Sequence, residues 1–190
     1  MTSRIKLSKS ALWSLFLMSA FPTHVWTILL AMQDFSWVSE RTNAWDAIGV
    51  GAYGLLVALA ESVFVFVITL LLNFLLPRRW ESDRRLAALT GLIFLAAGAA
   101  IANQTYFLLG ARVPGWLFAF LLRSGHPLRI LVGAAVLMAL ALTVGLLYQT
   151  GRSERFVAGM QTVVDRLGVL MSLYLLLDLG SLMVVVIRNV

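Results

Sequence analysis

From Ala47 to Leu76 the chain runs thirty residues with a single Asp, Glu, Lys, Arg or His, Glu61. About 20 apolar residues are enough for a helix to cross the ~30 Å hydrocarbon layer of a bilayer. In lipid, every backbone N–H and C=O must be bonded within the protein, which admits only helices and closed barrels. The run shows no two-residue alternation, so it reads as a helix rather than a barrel strand.

Four more runs of this kind give an all-α fold: a polytopic transmembrane helical bundle of five spans, at about 10–32, 47–76, 86–109, 129–148 and 167–187. Residues 1–190 read as a single integral membrane domain. The chain is 61% hydrophobic, against roughly 45–50% in soluble domains even with glycine counted. Charged residues make up 13%, about half the ordinary share of roughly 25%. The second span is longer than a crossing requires, which predicts tilt or an interfacial first turn.

The first span could be taken for a signal peptide, since Arg4, Lys6 and Lys9 precede Ala11–Phe21. However, the apolar run resumes after Pro22 with Val25, Trp26 and Ile28. Cleavage after Ala20 would also place Met18 where a small residue is wanted. We read a retained helix, kinked near Pro22. Trp116–Leu122 lies beyond the breaks at Gly110 and Pro114 and is too short to cross. It reads as a short interfacial or re-entrant helix near 115–122. Residues 33–46 and 149–166 read as polar loops, the second half of the latter as an amphipathic entry into the fifth span.

Fifteen Lys and Arg against nine Asp and Glu give a net charge of +6. These basic residues are spread over short loops, where they set orientation and meet anionic lipid. No basic face with interleaved aromatics exists, so nucleic acid is not an expected partner. If the N-terminus is inside, the inner segments hold ten basic residues: Arg4, Lys6, Lys9, Arg78, Arg79, Arg84, Arg85, Arg152, Arg155 and Arg166. The outer segments hold five: Arg41, Arg112, Arg123, Arg129 and Arg188. The expected arrangement is N-in and C-out, in the cell membrane (plasma or bacterial inner membrane) as a multi-pass protein. The absence of cysteine excludes disulfides, thiolate metal sites and cysteine nucleophiles.

A central charge in a membrane helix costs ~2.5–3.5 kcal/mol on insertion scales, so each ionisable residue at depth needs a reason. His24, Glu61 and Asp178 each lie near the middle of their spans. The first, second and fifth helices are therefore expected to bring all three together, as a proton or cation site or as hydrogen-bonding groups that fix packing. Gly51, Gly54, Ala58, Glu61, Ser62, Thr69 and Asn73 fall within an arc of roughly 120° at 100° per residue. This stripe is expected to face other helices, with Leu56, Val63, Leu70 and Phe74 toward lipid. It overlaps Gly49–Gly54, which fits G-x-G-x-x-G. No strand precedes that motif and no βαβ unit surrounds it, so it is not read as a dinucleotide site.

In the third span Asn103, Gln104, Thr105 and Tyr106 cluster near the outer end, where they would line a vestibule or cap the helix. Gly91, Gly98, Ala102 and Thr105 share a face and read as a packing seam. In the fifth, Tyr174, Asp178 and Ser181 recur on one polar face, with Gly168 and Ser172 opposite. One ligand from each of three helices has no diagnostic metal spacing, and neither histidine accompanies a nucleophile elbow or zincin pattern. No catalytic residue, metal or cofactor is assigned.

The leading functional expectation is a non-enzymatic accessory, assembly or anchoring module, whose partners are the lipid bilayer and a protein subunit or further copies of itself. A second is a small proton- or cation-coupled transporter or channel using the mid-membrane carboxylates. A third is the membrane half of an extracytoplasmic lipid-head-group transferase or sulfatase-like enzyme. Five spans with N-in and C-out resemble the arrangement ahead of the catalytic domain in lipoteichoic-acid synthases. That likeness is one of topology, without a shared motif.

Overall fold

A computed structural model describes residues 7–108, 110 and 114–190. Arg4, Lys6, Arg112 and the expected end of the third span at Leu109 lie outside the described residues. Within them the chain forms six α-helices: α1 (Lys9–Arg41), α2 (Ala44–Asn73), α3 (Ser82–Asn103), α4 (Gly115–Arg123), α5 (Pro127–Arg152) and α6 (Glu154–Asn189). A π-helical turn, Gln104–Leu108, extends α3. All but α4 are long and apolar enough to cross a membrane. The chain is a five-span helical membrane protein, as its apolar runs require.

The helices overrun the hydrocarbon layer, and two expected loops are helical. α1 continues through Gln33–Arg41, so only Thr42 and Asn43 connect it to α2. Asn43 caps α2 by accepting from the Asp46 N–H at 2.9 Å. Residues 149–166 contain one non-helical residue, Ser153, which ends α5 and caps α6 through the Phe156 N–H at 3.2 Å. Polar residues mark where a chain leaves lipid; they do not stop a helix unless glycine, proline or a competing cap intervenes. At 1.5 Å per residue the 33 residues of α1 and 36 of α6 extend ~50 and ~54 Å, well past a ~30 Å layer. The ends of α4 and α5 follow the ordinary pattern: Gly125 takes φ +70° after α4, and Pro127 opens α5.

α1 is the hub, packed against α2, α3 and α6. The apolar core gathers toward one end of the bundle, around Leu15, Met18, Leu89, Ile93, Val164 and Met171. Phe16 meets Phe66 edge-on at 5.8 Å between ring centroids, a favoured aromatic geometry. Along α6 the buried residues Val157, Val164, Met171 and Asp178 fall at every seventh position, the period of a left-handed helix seam. α5 is peripheral. Of its side chains only Thr150, near its end, is buried, and Gly91 of α3 admits Leu146 there at a distance no Cβ would allow. α4, nine residues or ~14 Å long, is too short to cross and packs on α5.

Polar contacts pin both ends. Arg84 pairs with Glu154 and donates to the Gly151 carbonyl at 2.6 Å, tying the start of α3 to the α5–α6 junction. At the other end Arg188 bonds Asp46 and the Trp45 carbonyl, both at 2.7 Å. Its guanidinium occupies the space where a Cβ on Gly49 would stand. Gly51 faces Ala31 and Gly54 faces Thr27. The glycine motif at the start of α2 is thus a packing seam, consistent with its rejection as a nucleotide loop.

Candidate functional site: a buried histidine–aspartate pair and an outward glutamate

The centre of the bundle is built on one turn of α1. Pro22 sits inside the helix and has no N–H to donate. One residue on, the Thr23 hydroxyl lies 2.8 Å from the Ala20 carbonyl. His24 reaches the same carbonyl through Nδ1 at 2.9 Å. A carbonyl only accepts, so Nδ1 carries the proton and the tautomer is set. Nε2 is left facing Asp178 of α6, 3.1 and 3.0 Å from its two carboxyl oxygens.

The side chains are 0% and 5% exposed, so the pair is sealed from surrounding solvent or lipid. With Nδ1 protonated, one further proton placed between Nε2 and the carboxyl group would neutralise the pair. On Nε2 it makes an imidazolium–carboxylate pair; on Asp178 it makes a carboxylic acid donating to a neutral ring. Both states have zero net charge, which is how two ionisable groups can share a dry interior. Loss of that proton would leave a buried negative charge, and loss of either side chain would orphan the other.

A second bridge lies beside it. Thr23 Oγ1 and Ser62 Oγ of α2 are 2.8 Å apart, and Ser62 also reaches the Ala58 carbonyl at 2.6 Å. Each hydroxyl has one hydrogen, so one donates to the other and the second donates to its own helix. Ser181 is buried one turn beyond Asp178, and Tyr174 packs half-buried against the core. The polar face expected on α6 is therefore the face turned inward. Gly168, expected opposite, meets Leu17 of α1, while Ser172 is exposed.

Glu61 departs from the expected convergence. His24 and Asp178 meet; Glu61 is exposed on the outer surface of α2, with no hydrogen-bond or ion-pair partner among the described residues. An arc of 120° was wide enough to hold both Glu61 and Ser62, and the bond from Ser62 to Thr23 decides between them. Ala58, Ser62, Thr69 and Asn73 take the buried positions, and Glu61 is turned out by the ~100° step of the helix. Of the side chains expected toward lipid, Val63 and Phe74 are exposed, whereas Leu70 packs on the core.

The other polar candidates separate as well. Gln104 is half-buried and accepts from the Trp26 indole N–H at 2.5 Å. Asn103 is exposed. Gly91 belongs to the expected α3 seam, but Gly98 has open space where a Cβ would point. Two clefts open on the surface: one at the α2–α3 loop, lined by Arg79, Trp80, Tyr148 and Arg152 among others, and one between α1 and α2, lined by Ile28, Phe35 and Leu55. Neither reaches His24, Asp178 or Asn103. Among the described residues no three His, Asp or Glu side chains gather as metal ligands would.

Sequence reasoning missed Arg85. It was counted among the topogenic arginines, yet it is 3% exposed. Its guanidinium donates to the Asn73 side chain and carbonyl at 2.9 and 3.1 Å, to the Pro77 carbonyl at 2.8 Å and to the Trp80 carbonyl at 3.0 Å. It ties the last carbonyl of α2 to two carbonyls of the α2–α3 loop, and a cation at a helix C-terminus also suits the helix dipole. The signal was its place: the fourth arginine of the loop falls in the first turn of α3, next to the apolar run. Compared with known proteins, the chain matches no family model, no curated protein and no solved structure.

Proposed function

We propose that the protein is a non-enzymatic membrane module, an accessory or assembly subunit whose partner supplies the chemistry. The observation that carries this reading is the division of its mid-depth ionisable groups. His24 and Asp178 satisfy each other inside a sealed bundle, while Glu61 is presented outward. Such a pair holds the protein's own helices in register and offers no surface to a substrate. α5 supports the same reading, because its long apolar surface is left almost wholly uncovered by the rest of the chain. The test is gentle crosslinking in native membranes, extraction in mild detergent and mass spectrometry of what comes with the protein. A stoichiometric membrane partner is expected; recovery of the protein alone would overturn the reading.

The second reading is a proton-coupled transporter, favoured by the direct contact of His24 Nε2 with the Asp178 carboxyl group, which a single proton can bridge. It requires α1 and α6 to part enough for water to reach them. Proteoliposomes would then show proton-linked flux that disappears with Asp178→Asn.

A further inference from the structure

Glu61 stands at a defined depth. Ser62 bonds Thr23 across the α1–α2 contact, and the next residue of α1, His24, bonds Asp178. These links place Glu61 level with the pair at the centre of the bundle, midway along the apolar run from Ala47 to Leu76. At this level His24 is paired with Asp178, and Thr23 with Ser62. Glu61 faces out instead, between Val57 and Phe64, which are 58% and 66% exposed. Ala60 beside it is also exposed, and so small a side chain lets another helix approach closely.

We infer that this face of α2 docks a transmembrane helix of a different protein, one that carries Lys or Arg at the depth of Glu61. The inference rests on the accessory-subunit reading and names the chemistry of the partner. A carboxyl group at mid-membrane is matched by a cation, since the pair can then enter lipid without net charge. A second copy of this chain cannot supply that cation. Its fifteen Lys and Arg all lie in the flanks of the apolar runs, and its one buried imidazole at this depth is already held by Asp178. Two copies meeting here would instead set carboxyl against carboxyl.

The experiment uses the full chain in native membranes, with a photo-crosslinking amino acid at Phe64 or, for comparison, at Leu137 on the exposed side of α5. The expected result is an adduct from position 64 to a membrane protein whose crosslinked segment holds Lys or Arg within an apolar span. Its yield should fall at least tenfold with Glu61→Gln. It should return when Glu61→Lys is combined with replacement of the partner's cation by Glu. Because Glu61 is exposed and makes no hydrogen bond or ion pair among the described residues, Glu61→Gln should leave the melting temperature unchanged, separating lost docking from lost folding. An adduct from position 64 to a second copy, or to a span without a cation, overturns the inference. So does an adduct at 137 with none at 64, which would leave the accessory reading standing. No adduct at either position, with the protein recovered alone, overturns both.

Discussion

His24 and Asp178 test the idea that a buried ionisable pair is a lock. Asp178→Asn retains a donor to His24 Nε2 and is expected to fold with little loss. Asp178→Ala leaves that nitrogen buried without a partner and should cost about 1–3 kcal/mol. His24→Ala strands the carboxyl group and should cost more, about 3–5 kcal/mol if it stays charged. Thermal unfolding in detergent would check the order, and equal losses from Asn and Ala would contradict it. Arg85 offers a second test at this scale. A lysine cannot reproduce a planar fork that reaches three carbonyls and an amide. Arg85→Lys is therefore expected to lower stability by at least about 1.5 kcal/mol, although it preserves the charge that orientation depends on.

At the scale of the helix, glycine separates surfaces that touch from surfaces that do not. A Cβ on Gly91 would meet Leu146 of α5 at 2.5 Å, whereas one on Gly98, two turns along the same helix, would meet nothing within 4 Å. Gly91→Ala should cost about 1–3 kcal/mol through overpacking. Gly98→Ala should be neutral or stabilise α3 by up to about 1 kcal/mol through helix propensity. Detergent melts of the two variants measure the difference, and a stable Gly91→Ala would mean that α5 is not seated on α3 at this point. Both glycines were legible as members of one seam, since they share a face. Only the position of α5, which nears α3 toward one end, shows that the seam is half used. The same logic applies to α2, whose small residues were legible as a packing face although the outermost member, Glu61, was not on it.

For the whole molecule, five crossings put the termini on opposite sides. Ser8 lies against Ser82, and Arg84 ties that end to the α5–α6 junction, whereas Arg188 ties the C-terminal end to the first turn of α2. The ten-to-five bias in basic residues proposes the first group inside. The chain has no native cysteine, so single cysteines report their own exposure directly. Ser8→Cys, Ser82→Cys and Ser153→Cys should react with an impermeant maleimide only after permeabilisation, and Asn189→Cys in intact cells. The reverse pattern would turn the orientation over, while labelling of Ser8→Cys and Asn189→Cys from the same side would contradict the five crossings.

The number of spans, their approximate centres and the three ionisable residues at depth were determined by the amino-acid sequence alone. Length and apolarity are local properties, and lipid imposes them on each helix separately. The partner of His24, the burial of Arg85 and the outward turn of Glu61 were decided only by tertiary structure. Each depends on how a helix is rotated about its own axis. Where both the lipid side and the protein side are apolar, hydrophobicity carries no record of that rotation. Packing of small residues and a few hydrogen bonds, such as that between Ser62 and Thr23, choose it.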